Sequence, residues 1–111
     1  MLKGSPSIDS IIEALERIKG HLKMYMGRDD NIDGVFLYLS AFSEACRALG
    51  FSGSFDIHQR VLARHGLAGQ PRDIVNKMRE RGMNDKEIVQ ELIAMQIEKW
   101  QEAKEQPQEP S

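Results

Sequence analysis

Hydrophobic residues recur at three- and four-residue steps along most of the chain, which is the period of an α-helix with one buried face. The first such stretch follows Ser7, a residue type that caps helix N-termini, and extends from Ile8 to Leu22. Charged residues occupy the intervening positions and predict a solvent-facing side. The pattern therefore predicts a first amphipathic helix, followed by a linker over residues 21–30.

The second predicted helix has the most hydrophobic pattern in the chain, so we expect it to be the central helix. It begins at Asp30 or Asn31, and Gly50 supplies the left-handed stop. Three alanines beside its hydrophobic stripe would allow close packing. The predicted buried stripe consists of Val35, Phe36, Leu39, Phe42, Cys46 and Leu49.

Turn-forming residues separate two shorter helices from their neighbours. The third helix is expected to begin at Ser54 and to end at Gly66. The fourth has Pro71 in its first turn, where a missing N–H is tolerated, and ends at Gly82. Both carry hydrophobic residues at helical spacing, so we expect each to bury one face.

The last helix is predicted to start after Asn84 and Glu87, which have the spacing of a capping box. It continues through Trp100, which we expect to complete the core. No strand pattern or internal repeat occurs. The sequence thus predicts an all-α protein, a single compact bundle of about five helices over residues 1–104 with a disordered tail over residues 105–111.

Composition excludes several classes of function. The chain has 111 residues, with 15 basic and 17 acidic side chains, so no overall field attracts nucleic acid or anionic lipid. Its one cysteine, Cys46, cannot form an internal disulfide, which suits a reducing compartment. No hydrophobic run is long enough for a signal peptide or a membrane span. We therefore expect a cytoplasmic protein that does not enter a membrane.

The segment Asp29–Gly34 matches the first half of a calcium-binding loop, with oxygen ligands at positions one, three and five and glycine at six. The second half fails, because Leu37 and Ser40 occupy positions that should supply ligands. Acidic residues at a helix N-terminus explain the segment without an ion. We therefore predict no metal site and no cofactor.

No catalytic constellation is apparent, and we predict that the protein is not an enzyme. Cys46 lies on a hydrophobic stripe, where a thiol is inert. His58 and His65 are seven residues apart, or about 10 Å along a helix, which is too far to share one ion. We expect these histidines on the surface or at helix ends.

Residues 58–81 are locally basic and favour a second hypothesis, a DNA-binding regulator. Against it, residues 85–109 carry more acidic than basic side chains, and no recognition helix follows the predicted turn. Nucleic acid is therefore not the favoured partner. The basic residues of this hypothesis are Arg60, Arg64, Arg72, Lys77 and Arg79.

The linker has the make-up of a protein-contact surface, with aromatic, methionine and arginine residues together and charged residues around them. Packing beneath a loop is the alternative for its hydrophobic residues. We name five residues the linker surface and predict that they bind a protein partner: Tyr25, Arg28, Asp29, Asp30 and Asp33. An adaptor role or a homodimer formed through the hydrophobic face of the last helix is a further alternative.

The string Ile18–Gly27, which ends in Met-Tyr-Met-Gly, and the helix over 35–49 resemble the opening of a group of small bacterial all-α proteins. The resemblance covers about the first half of the chain, which lacks the Arg-Pro-Gly that usually precedes Met-Tyr in that group. Some members are associated with polymorphic toxin loci as candidate immunity proteins. The resemblance implies a non-catalytic immunity protein that neutralises a cognate toxin by direct binding.

Overall fold

The protein is an all-α bundle. A computed structural model describes residues 7–51, 55–67 and 69–105, which form six α-helices and no strand. Ser54 and residues 106–111 of the predicted tail lie outside this range. The helices are α1 (Ile8–Gly20), α2 (Leu22–Met26), α3 (Ile32–Ala48), α4 (Phe55–Arg64), α5 (Pro71–Glu80) and α6 (Asp85–Glu105).

Five of these helices correspond to the five predicted ones, and α2 is an addition inside the predicted linker. The amides of Met24 and Tyr25 both donate to the carbonyl of His21, at 3.0 and 3.2 Å, and begin a single helical segment. Gly27 ends it with a φ of 77°, a left-handed conformation that glycine adopts without strain. The linker prediction was therefore wrong over residues 22–26.

Local capping explains where the longer helices begin. The Ser7 hydroxyl accepts a hydrogen bond from the Ser10 amide, and the Asn31 side chain accepts one from the Gly34 amide. At α6, Asn84 and Glu87 accept reciprocally from each other's backbone amides, at 2.8 and 2.9 Å. This reciprocal pair confirms the predicted capping box.

The central helix is α6, not α3, which corrects the expectation from the sequence. Helix α6 packs against α1, α3, α4 and α5, and its hydrophobic residues point in several directions around its axis. Hydrophobic residues on several sides require burial against several partners. The packing covers the face on which the predicted homodimer depended.

Helix α3 has a more exposed surface than its hydrophobicity predicted. Val35, Leu39 and Cys46 are buried, whereas Phe36 is only partly buried. Leu49, predicted on the buried stripe, is 64% exposed because it lies at the C-terminal cap of α3. The stripe therefore stops short of the helix end.

In the hydrophobic core, each of the other longer helices packs its buried face against α6. Trp100 is buried as predicted, and Leu15 and Val35 are fully buried around α6. Among the described residues, no helix is both long and hydrophobic enough to cross a membrane.

Candidate functional site

The linker surface lies on α2, on the loop before α3 and on the first turn of α3. Tyr25 is 39% exposed on α2, and Arg28 and Asp33 are also exposed. The left-handed turn at Gly27 reverses the chain between α2 and the loop. Within the loop, Arg28 Nε donates to Asp30 Oδ1 at 3.0 Å, so these opposite charges are paired with each other.

The five predicted residues do not form one continuous site. Arg28, Asp30 and Asp33 line a groove of about 540 Å³ between the start of α3 and α5. Tyr25 instead lines a shallower depression of about 360 Å³ beside α3. Asp29 is directed towards α6, where its carboxylate lies 3.5 Å from the Lys86 ammonium.

Two exposed hydrophobic residues adjoin the predicted surface and were missed. Leu37, 74% exposed, lines the same depression as Tyr25. Met24 is 70% exposed in the turn of helix that carries Tyr25. The sequence held a signal for Leu37, because it is a large hydrophobic residue outside the helical stripe formed by Val35 and Leu39.

The calcium-like segment is used for capping and for ion pairs. Its third residue, Asn31, accepts the hydrogen bond that begins α3, and Asp30 pairs with Arg28. Helix α3 begins at Ile32, before the segment could wrap an ion as a twelve-residue loop. No group of three or more histidine, cysteine, aspartate or glutamate side chains in the described part of the chain could hold a metal.

Three arginines of the basic segment are paired with carboxylates of α6. Arg64 bonds both Glu98 and Glu102, and Arg60 Nε donates to Glu102 Oε1 at 3.1 Å. The hydrogen bond from Arg64 is the main cause that lowers the pKa of Glu102. Arg79 also pairs with Asp85, so ion pairs engage three of the five basic residues on which the nucleic-acid hypothesis depends.

The two histidines of this region have different surroundings. His65 Nε2 lies 2.8 Å from Glu98 Oε1 at the end of α4, as expected for a helix-end histidine. His58 is partly buried in mid-helix, and its Nδ1 is sealed from solvent with no hydrogen-bond partner. Burial first, and then repulsion from Lys99, lowers the pKa of His58. The expectation of a surface or helix-end position was wrong for His58.

A second candidate site, missed at the sequence level, surrounds Lys99. It is a groove of about 520 Å³ between α3, α4, α5 and α6, and we call it the Lys99 groove. Its polar lining includes Glu44 of α3, His58 of α4 and Gln96 of α6. Its hydrophobic lining comes from Phe36, Leu39, Leu62, Ile74, Leu92 and Met95.

Lys99 is the only charged residue among the buried side chains of the described chain, at 7% exposure. Its ammonium lies 5.0 Å from the centre of the Trp100 ring and has no hydrogen bond or ion pair with any described residue. Burial lowers the pKa of Lys99, because desolvation disfavours the charged form. Among the described residues, the charge on Lys99 is therefore compensated by the Trp100 ring but not by the ion pair that a buried ion normally requires.

Cys46 is buried close to this lysine. It is 5% exposed, as the sequence predicted, and burial is the main cause that raises the pKa of its thiol. A neutral, inaccessible thiol is a poor nucleophile. Cys46 therefore contributes packing rather than reactivity.

Fold and surface together describe a helical bundle with a hydrophobic depression beside α3, a charged groove between α3 and α5, and the partly hydrophobic Lys99 groove. Comparison with protein-family models, with curated proteins and with solved structures finds no match to this chain.

Proposed function

We propose that this protein is a non-catalytic protein-binding module, an immunity protein that neutralises a cognate bacterial toxin by direct binding. The observation that carries the proposal is the exposure of Met24, Tyr25 and Leu37 beside charged residues of the linker surface. The resemblance of the Met24–Gly27 string to candidate immunity proteins points to the toxin as the partner.

Large hydrophobic side chains in water favour association, since each square ångström removed from water contributes about 25 cal/mol. Tyr25 and Leu37 line one depression, so a single side chain of a partner could contact both. Aromatic and methionine residues are enriched at the centres of protein interfaces, and charged residues at their rims. Tyr25, Met24 and Leu37 supply this centre, and Arg28 and Asp33 supply the rim.

The charges favour a partner with a basic surface. Arg28 is paired with Asp30, so it does not offset the charge of Asp33. Asp33 is exposed in the first turn of α3. A cationic toxin cleft would be complementary to the Asp33 carboxylate, and such complementarity speeds association and disfavours partners of like charge.

Inhibition then follows from occlusion. The module covers the toxin's cleft, and no bond is made or broken by its own side chains. A cytoplasmic location, where the toxin would act on its own producer, is part of the proposal.

The test is an affinity capture from lysate of the source cells, with bound proteins identified by mass spectrometry. The wild-type protein should capture one stoichiometric partner whose expression alone inhibits growth of a bacterial host. Co-expression of the wild-type protein should restore growth. Tyr25→Ala, Leu37→Ala and Asp30→Lys should each weaken capture and rescue by about tenfold, the effect of an interface residue worth about 1.4 kcal/mol.

Leu49→Ala is the matched control. Leu49 is a similarly exposed leucine, but it lies twelve residues beyond Leu37, about 18 Å along α3. Its substitution should leave capture and rescue unchanged. Capture that is equally insensitive to Tyr25→Ala and Leu37→Ala would refute the surface assignment, and a lysate without any toxic partner would refute the immunity function.

A further inference from the structure

The Lys99 groove contains a charge without a counter-charge. Lys99 is buried on α6, and no described side chain pairs with its ammonium. Two carboxylates on the same helix, Glu98 and Glu102, are bonded to Arg64. The ammonium is poorly hydrated in this position, so an anion that reaches it through the groove stabilises its charged form.

The other titratable groups at the groove do not supply that anion. Glu44 lines the groove, but its Oε2 accepts a hydrogen bond of 2.7 Å from Arg47 on the same helix. Cys46 interacts electrostatically with Lys99, but burial raises the pKa of its thiol and keeps the thiol neutral. His58 also lines the groove, but a histidine is either neutral or positively charged and cannot serve as the counter-ion.

The remaining lining is suited to a hydrophobic body. Phe36 and Leu39 of α3 line the groove together with Leu92 and Met95 of α6. The volume of about 520 Å³ falls in the range of small-molecule sites, about 300–1,000 Å³. Such sites combine a hydrophobic wall with a few polar groups that orient the ligand, and here Lys99 is the orienting group.

We propose that the Lys99 groove binds a small amphipathic carboxylate, with the carboxylate paired to the Lys99 ammonium and the hydrophobic part against α3 and α6. Charge complementarity selects this class of ligand. A neutral hydrophobic molecule would leave the ammonium unpaired, and a cation would be repelled by it. The linker surface contributes no residue to this site, so the two proposals can fail independently.

Decanoate is a suitable probe, and decanol is its neutral counterpart of equal chain length. Isothermal titration calorimetry below the micelle-forming concentration should show saturable binding of decanoate to the wild-type protein. Decanol should bind at least tenfold more weakly. Fluorescence of Trp100, the only tryptophan, should change on binding because Lys99 lies over its ring.

Lys99→Met removes the charge but keeps most of the packing, since methionine is uncharged and has a long unbranched side chain. The variant should fold, because replacing a buried charge with a hydrophobic residue is often neutral or stabilising. It should lose at least tenfold in decanoate affinity and bind decanol as well as the wild type does. Lys104→Met, an exposed lysine of the same helix paired with Asp9, is the control and should bind decanoate normally.

Lysine side-chain nuclear magnetic resonance gives an independent readout. Bound decanoate should raise the pKa of Lys99, since a neighbouring negative charge favours the ammonium. Equal affinity for decanoate and decanol, unchanged decanoate binding in Lys99→Met, or no binding of either probe would overturn the proposal. Concentration-dependent dimerisation that Lys99→Met abolishes, without probe binding, would assign the groove to a second copy instead and would also overturn it.

Discussion

Arg64 of α4 and Glu102 of α6, which lie 38 positions apart in the sequence, are joined by a hydrogen bond of 2.6 Å between Nη2 and Oε2. Arg60 bonds the same glutamate, and Arg64 also bonds Glu98. These contacts connect α4 to the central helix outside the hydrophobic core. Residues that resemble a nucleic-acid-binding segment in the sequence therefore serve to dock one helix on another.

Glu102→Gln should lower the unfolding midpoint by about 2–4 °C at low salt, because it removes the charge shared by two arginines. The difference from the wild type should shrink in 1 M NaCl, where charge interactions are screened. Thermal unfolding followed by circular dichroism measures both. Glu105→Gln is the control, since the Glu105 side chain forms no hydrogen bond or ion pair with the described residues. A loss in the midpoint of Glu102→Gln that does not depend on salt would contradict the electrostatic origin.

Leu15→Ala and Leu37→Ala are the same substitution in opposite environments. Leu15 is fully buried in α1, so its truncation should cost about 2–5 kcal/mol in the free energy of unfolding. Leu37 is 74% exposed, and its truncation should change stability by less than about 0.5 kcal/mol. Urea unfolding measures both values, and similar losses for the two variants would contradict the assigned burial.

The capping box should account for part of the stability of α6. Asn84→Ala removes the side-chain oxygen that accepts from the Glu87 amide, so we expect a loss of about 1 kcal/mol in the free energy of unfolding. Asn84→Ser retains an acceptor and should recover most of this loss. Chemical denaturation of the three proteins tests the prediction, which fails if serine is no better than alanine.

His58 should make stability depend on pH just below neutrality. The pKa of His58 in the folded state is lower than its ordinary value of 6.5. As the pH falls below 6.5, His58 is therefore protonated in the unfolded state before it is protonated in the folded state. The free energy of unfolding should therefore fall as pH decreases from 7.5 to 5. Below the folded pKa both states are protonated, and the contribution of His58 becomes constant.

His58→Gln should flatten this pH dependence, as measured by urea unfolding at half-unit intervals. The hydrogen bond from Arg64 lowers the pKa of Glu102 below its ordinary value of 4.5. The stabilising contribution of Glu102 is therefore fully present above pH 4.5 and is lost as the pH falls through the pKa of the folded state. Measurements above pH 5 therefore separate the two groups. His21→Gln is the control at an exposed position, and a variant of His58 with an unchanged slope would contradict the assignment.

Capping and turn chemistry predicted most helix boundaries from the sequence. Asn31 and Asn84 cap helices with their own side chains, and left-handed glycines follow α3 and α5. Cys46 and Trp100 were placed in the core by helical periodicity alone. These predictions succeeded because each depends on residues within about one helical turn.

The sequence by itself thus determined the all-α class, the five longer helices and most of the buried face of each. Tertiary structure decided that α6 is central, that Tyr25 and Asp30 line different depressions, and that Arg64 pairs with Glu102. It also buried Lys99 without a counter-charge. A helical pattern specifies which face needs burial, but not which helix covers it, because the distances between helices depend on how all of them pack together.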